Sequence, residues 1–293
     1  MINTLVQGVL LGGYYALIAA GLSFMFSVMR IINLAHGSLA VLAAYGLFAL
    51  AQYFGISPFL GLLIVLPAMA VLGLLLQRLV LDRAMRAGPL VPILATFGLA
   101  IVIDNALFEM FGANTRSLGN FIGSLSYDSV ELPGRIFVGE LAIGTFVLAV
   151  LLLGGLQLFL SFTSYGRAIR ATAEDADTAE LVGINARRAN AIASAIALVT
   201  VGLAGAALGM RGTFDAYSGS AQLLFAFEAA VIGGAGSVWG TLLGGIVLAL
   251  AQSIGATISP LGFLIAGHGV FLVVLFARIW LAGGVNGFLG RRA

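Results

Sequence analysis

Ser237 and His268 are the residue types of a nucleophile and its base, and Asp104 and Glu228 are carboxylates inside long uncharged runs. A Ser–His pair becomes a hydrolytic site only with a third group that orients the base, and none is apparent. "GAGS" (234–237) also reads as a plain Gly-Ser break in an apolar helix. An intramembrane serine protease is therefore disfavoured. Other chemistries are excluded by residues the chain lacks. There is no cysteine, hence no disulfide, thiolate nucleophile or Cys-ligated metal. All 14 basic residues are Arg, so the phosphate-binding Lys of a P-loop and a Schiff-base Lys are both missing. Two histidines, His36 and His268, do not make a His-rich metal centre.

The elements that must position these residues are membrane helices. The 293-residue chain is 61% hydrophobic and 9% charged, with a mean hydropathy of +1.11. Its uncharged runs reach the roughly 20 residues that a helix needs to cross ~30 Å of hydrocarbon. Candidate spans fall near 5–29, 36–54, 58–81, 90–112, 136–162, 189–210, 236–257 and 262–281. A shorter apolar piece, 222–233, rises only about 18 Å as a helix and is either re-entrant or part of a broken span. The N-terminus has no basic n-region and stays apolar too long for a cleaved leader, so it reads as a retained first span. The predicted fold is an all-α polytopic membrane protein: about eight transmembrane helices plus short broken or re-entrant pieces, in one domain over 1–293. The forty glycines suit close packing of such helices.

Arginine placement gives orientation. Arg30, Arg78, Arg83, Arg86 and the cluster Arg167, Arg170, Arg187, Arg188 fall on one side of this arrangement, which the positive-inside bias makes cytoplasmic. The loop 113–135, with Arg116, Asp128, Glu131 and Arg135, then faces outward. Arg291 and Arg292 favour a cytoplasmic tail, which requires 222–233 to help make a full crossing; a re-entrant 222–233 would leave the tail outside. The pI near 9.2 reflects this bias and does not point to nucleic acid.

An internal repeat is expected from the likeness of "AHGSLAVLAAYGLFALAQYFG" (35–55) to "GAGSVWGTLLGGIVLALAQSIG" (234–255), with a fainter echo between 16–22 and 197–203. Two repeats with broken helices are a common transporter plan.

Charge is densest where least expected. Eight of the 26 formal charges lie in "YGRAIRATAEDADTAELVGINARR" (165–188). Its centre predicts a short helix outside the membrane. Thr172 is the expected N-cap, with Glu174, Asp175 and Asp177 in the early turns, where carboxylates suit the helix dipole. Gly183 fits a left-handed C-cap, and Asn185 caps the next helix. Ala173, Ala176 and Ala179, beside Glu180, make one thin face; Leu181, Val182 and Ile184 add an apolar knob. Such a segment is either a solvated loop or a docking helix for a partner.

At presumed membrane depth, ionisable and polar residues are candidates for a pathway. Asn33 and His36, with Gly37 and Ser38, mark irregular backbone before the second span, suited to a gate or to a hydrogen-bonded helix junction. Asp104 and Asn105 belong inside a span, with Thr96 on roughly the face of Asp104. Glu109 lies nearer the outer interface. Glu228 stands beside the breaks at Gly233, Gly234 and Gly236, ahead of Ser237, where free backbone N–H groups could line a polar passage.

"SYGRAIRATAEDADTAELVGINARRANAIASAIALVTVGLAGAALG" (164–209) closely resembles the cytoplasmic loop of the branched-chain amino acid permease family of bacterial ABC importers. "VQGVLLGGYYALIAAGLSF" (6–24), "RIINLAHGSLAVLAAY" (30–45) and "FEAAVIGGAGSVWGTLLGGIVLALAQ" (227–252) agree with it in family order. The resemblance implies that the loop at about 163–188 holds a coupling helix seated in an ATPase subunit, with contact over Ala173, Glu174, Asp175, Ala176, Asp177, Ala179, Glu180, Leu181 and Gly183. It implies two ABC ATPase subunits that bind ATP and magnesium, so no cofactor in this chain. It further implies a homologous second permease, a periplasmic or lipid-anchored solute-binding protein, and residence in the bacterial inner membrane. The cargo implied is branched-chain or other hydrophobic amino acids, or related small solutes. The competing class is a stand-alone secondary transporter or channel for a small polar solute such as urea or an amide.

Overall fold

A computed structural model describes residues 1–132 and 136–289. Its helices are α1 (Ile2–Met29), α2 (His36–Phe54), α3 (Pro58–Leu76), α4 (Asp82–Ala87), α5 (Val91–Phe111), α6 (Glu140–Phe162), α7 (Ser164–Glu174), α8 (Ala176–Leu181), α9 (Ala186–Arg211), α10 (Gly219–Gly233), α11 (Val238–Ala256) and α12 (Pro260–Leu289). A π turn, Gln77–Leu81, joins α3 to α4, so that Pro58–Ala87 runs as one long element. A small antiparallel hairpin, β1 (Ser129–Leu132) and β2 (Ile136–Gly139), precedes α6. The sixth predicted span therefore starts at Glu140, because 136–139 pairs as strand. Arg135, Arg291 and Arg292 lie outside the described residues.

Among the described residues, eight helices have the length and hydropathy to cross a bilayer. They sort by burial. The best apolar windows of α1 and α9 are 78% and 72% buried, whereas those of α5 and α12 are only 22% and 6% buried. Alanine and glycine let the central pair approach closely, and the outer helices present Leu, Ile, Val and Phe to hydrocarbon.

Residues 30–35 are not a simple turn. Arg30 closes α1 in the left-handed region (φ 57°), its N–H bonding to the Phe26 carbonyl. The chain then climbs back along α1, so that His36 Nε2 meets the Ile18 carbonyl at 2.6 Å. Ile18 lies eleven residues, or about 16 Å, above the end of α1. The helix α2 therefore begins deep inside the bundle.

The chain's two ends of the bundle are easily told apart. One carries the hairpin and the bridge between Arg116 and Phe214. The other carries α7 and α8, with Ser27, Ile169, Arg170 and Ser237 around one pocket. The segment 212–233 enters beside Phe214 and leaves beside Gly236, whose N–H donates to Ser23 Oγ at 3.2 Å. Thus α10 is one part of a broken full pass, not a re-entrant hairpin. Arg278 of α12 donates to the Ile232 carbonyl at 3.1 Å, which brings α12 down to the α7 end.

The repeat is real in packing but differs in register from the sequence likeness. α1 packs on α9 to α11, and α9 packs on α1 to α3; α2 and α10 meet between them. Gly73 of α3 lies on Ser194 and Ala195 of α9, as Gly245 of α11 lies on Gly12 and Ala16 of α1. This pairs α2 with α10 and α3 with α11, in opposite directions through the bundle. The 35–55 and 234–255 match instead sets α2 against α11, and their common "ALAQ" ends differ: Gln52 is exposed while Gln252 is fully buried on Tyr15. Leu/Ala/Gly-rich helices look alike wherever they pack.

Candidate functional site: a buried helix junction and a charged knuckle

At the α7 end the charged segment folds as two short helices. Thr163, not Thr172, caps the first, its Oγ1 accepting from Gly166 N–H at 2.9 Å. Thr172 lies inside α7 and donates its hydroxyl to the Ala168 carbonyl. A hydroxyl in mid-helix bonds back one turn when the backbone donors near it are already used. Glu174 accordingly ends α7. Asp175, with extended backbone, caps α8: its Oδ1 accepts from Asp177 N–H (3.0 Å) and Thr178 N–H (3.1 Å), and its Oδ2 from the Thr178 hydroxyl (2.6 Å). The Thr178 hydroxyl and these N–H groups hold the Asp175 carboxyl below the ordinary aspartate value of 3.8. Gly183 adopts positive φ (85°) just past α8, and Asn185 caps α9 by accepting from Arg188 N–H at 2.9 Å.

The predicted alanine face is divided. Ala179 is buried and Ala173 half-buried, so neither offers a free face; Ala176 is exposed. What projects is Asp175, Asp177, Thr178 and Glu180 with a bare apolar tip, Leu181 at 87% and Val182 at 74% exposure. Ile169 and Ala179 anchor this knuckle from beneath. Gly166 fixes its angle, since a Cβ there would lie 2.2 Å from the Phe159 carbonyl. The knuckle is therefore tied to α6 on one side and α9 on the other.

Within the bundle, Asn33, His36 and Thr96 come together and are fully buried. Asn33 Oδ1 accepts from Ala35 N–H, and Thr96 Oγ1 accepts from Leu34 N–H at 3.0 Å while donating to the Pro92 carbonyl. His36 donates from Nε2 to Ile18, which leaves its buried Nδ1 as an acceptor without a protein partner. These contacts satisfy backbone groups that the climb from Arg30 would otherwise strand away from water. Gly37 at the start of α2 crosses Gly219 at the start of α10.

Asp104 is half-buried, with one carboxylate oxygen enclosed and unpartnered; its neighbour Asn105 is exposed and reaches the Tyr217 hydroxyl at 3.4 Å. Glu228 is 1% exposed and accepts from His268 Nδ1 at 2.5 Å, leaving Oε2 enclosed and unpartnered. Ser237 caps α11, accepting from Gly240 N–H at 3.1 Å. His268 and Ser237 thus serve different partners and make no nucleophile–base pair. Gly233, Gly234, Gly236 and Ser237 form a turn at the α7 end, with Gly236 against Ser23 and Ser27 of α1, whereas His36 meets α1 at Ile18 and Gly21, so the structure does not gather the predicted pathway residues into one cluster.

Sequence reading missed the buried side-chain ties that join helices. Ser194 donates to Gln77 Oε1 (2.6 Å), Tyr15 to Gln252 Oε1 (2.5 Å), Tyr14 to Gln222 Oε1 (2.8 Å) and Thr241 to Ser23 Oγ (2.8 Å). Partners up to 237 residues apart leave no local signal; isolated Gln residues in apolar helices were the one available hint.

Comparison with known proteins decides which frame holds these features. The profile of the family described as "Branched-chain amino acid transport system / permease component" matches residues 4–279. The chain belongs to this permease family. Among its relatives, the high-affinity branched-chain amino acid transport system permease protein BraD of Pseudomonas aeruginosa is 29% identical over 99% of this chain and 96% of its own length. The probable branched-chain amino acid transport permease protein LivH of Methanocaldococcus jannaschii is 29% identical over 91% of this chain and 86% of its own. The Salmonella typhimurium LivH permease is 30% identical over 85% of this chain and 83% of its own. The permease is thus a multi-pass membrane protein of a transport system.

Proposed function

We propose that this permease is the transmembrane subunit of an ATP-binding-cassette importer, resident in the bacterial inner membrane, and that it forms part of the passage for branched-chain or other hydrophobic amino acids. The observation that carries the reading is the α7–α8 knuckle. A pair of short helices held against α6 and α9, with an adjacent bare Leu181–Val182 tip between acidic flanks, offers a partner a small apolar contact framed by charge. A basic-rimmed apolar cleft in an ATPase subunit suits it. Closure of two such subunits around ATP and magnesium would push the knuckle. Its ties to α6 and α9 carry that motion to α1, α2 and α3, which all pack on α9. The chain itself breaks no bonds. A second, homologous permease and a binding protein that delivers cargo complete the assembly.

For the passage, the groups best suited are those with free polar valence at membrane depth: Asp104 and Asn105 on α5, and Glu228 with the half-exposed His268. The buried knot of Asn33, His36 and Thr96 acts as the hinge on which α2 turns. The direct test is co-purification of the ATPase with the permease and uptake of radiolabelled leucine. Asp177→Arg with Leu181→Arg is expected to abolish both while leaving the permease folded in the membrane. Unchanged ATPase retention and uptake would place the coupling surface elsewhere.

A further inference from the structure

We propose that the groove between α3 and α6, floored by α9, binds one acyl chain of an amino-phospholipid from the leaflet at the hairpin end, with Glu140 holding its ammonium headgroup. α3 and α6 splay apart here and leave a cavity of about 320 Å³, lined by Phe59 and Leu62 on α3, Leu141 and Leu148 on α6, and Ala207 and Met210 on α9. This is at the lower end of ligand-sized cavities, about 300–1,000 Å³. The lining from Glu140 to Leu148 follows the helix axis for about 12 Å.

Three features select a lipid. The two helices that frame the groove also carry bare apolar side chains, Leu63 of α3 at 74% and Leu151 of α6 at 68% exposure, on a surface that must meet hydrocarbon. Its polar side chains are few: Thr145 is buried and spends its hydroxyl on the Leu141 carbonyl, and Glu140 stands exposed at the mouth. Glu140 is the first residue of α6 and so sits at the depth of the headgroups, where its N–H bonds to the Asp128 carbonyl. An acidic mouth above an apolar slot fits a phosphatidylethanolamine-type ammonium and disfavours a net anionic headgroup. The polar groups of α5, α10 and α12 lie on other helices, so the groove is not part of the passage.

The test uses the full-length permease, incubated with equimolar phosphatidylethanolamine and phosphatidylglycerol and examined by native mass spectrometry. The wild type is expected to retain one lipid, ethanolamine over glycerol by several-fold. A Cβ at Gly144 meets nothing within 4 Å, so Gly144→Leu can fill the slot without a clash and is expected to cut retention several-fold. Gly154→Leu, equally open but outside the groove, is expected to retain lipid as the wild type does. Glu140→Gln is expected to keep the lipid and lose the headgroup preference. Equal retention in wild type and Gly144→Leu would overturn the site. An unchanged preference in Glu140→Gln would overturn the role of Glu140. Loss of a co-purifying second permease in Gly144→Leu, with lipid retained, would identify the groove as a protein interface instead.

Discussion

Gly37 and Gly219 touch backbone to backbone: a Cβ on Gly37 would lie 1.8 Å from the Gly219 carbonyl oxygen, and one on Gly219 would lie 2.6 Å from Ser38 N. The starts of α2 and α10 cross here, at the centre of the inverted repeat. Neither position has room for a methyl group unless the two helices separate.

Gly37→Ala and Gly219→Ala are therefore each expected to destabilise the bundle, by at least the ~1–3 kcal/mol of an overpacked core. Gly98→Ala on α5 meets nothing within 4 Å and serves as the control, neutral or slightly stabilising. Thermal unfolding in detergent, followed by fluorescence, distinguishes them. Equal midpoints for all three would mean that the two helices do not cross closely.

Asp175→Ala removes the acceptor of three hydrogen bonds at the start of α8. Caps of this type are worth about 1 kcal/mol. Backbone amides of 177–180 should exchange with deuterium several-fold faster, with the exchange of α9 unaltered. Asp175→Asn should restore part of the protection.

The same cap gives a pH signature. The Asp175 carboxyl is held below its ordinary value in the folded knuckle, so its contribution is complete above the ordinary aspartate range and fades as pH falls through the lowered value. Amide protection in α8 should stay constant from pH 8 to pH 5 and drop only in stronger acid. Loss of protection between pH 7 and pH 6 would contradict the assignment.

His268→Leu strips Glu228 of its one hydrogen-bond partner among the described residues and leaves a buried carboxylate without it. A cost of about 1–3 kcal/mol is expected. Adding Glu228→Leu should recover most of that loss, since two apolar groups need no pairing. A double-mutant cycle on unfolding midpoints checks this, and strict additivity would show that the two side chains do not interact.

Because the chain has no cysteine, single replacements report sidedness without a modified background. Tyr127→Cys, 77% exposed near the hairpin, should react with an impermeant maleimide in whole cells. Val182→Cys, 74% exposed on the knuckle, should react only after the membrane is opened. The reverse pattern would invert the topology.

Much was legible because a bilayer imposes strong constraints on composition. Run length between charges located the spans to within a few residues, and the caps Gly183 and Asn185 follow from local backbone chemistry alone. Errors arose where several local solutions compete. Thr163 and Asp175 outcompeted Thr172 as caps because the chain bends twice, at Thr163 and again at Asp175, and each bend frees N–H groups that need acceptors. Ala179 turned inward since the side of α8 that faces α9 is decided by α9.

By itself, the sequence determined that this is an α-helical membrane protein whose charge is densest in one extramembrane segment. Those are properties of residue inventory and of neighbours along the chain. Tertiary structure alone decided that α2 starts deep in the bundle, that α10 pairs with α2, and that Glu228 belongs with His268. In a membrane, helices of similar hydropathy pack by shape and by a few polar ties. Both depend on which surfaces meet, and a linear pattern of Leu, Ala and Gly does not encode that uniquely.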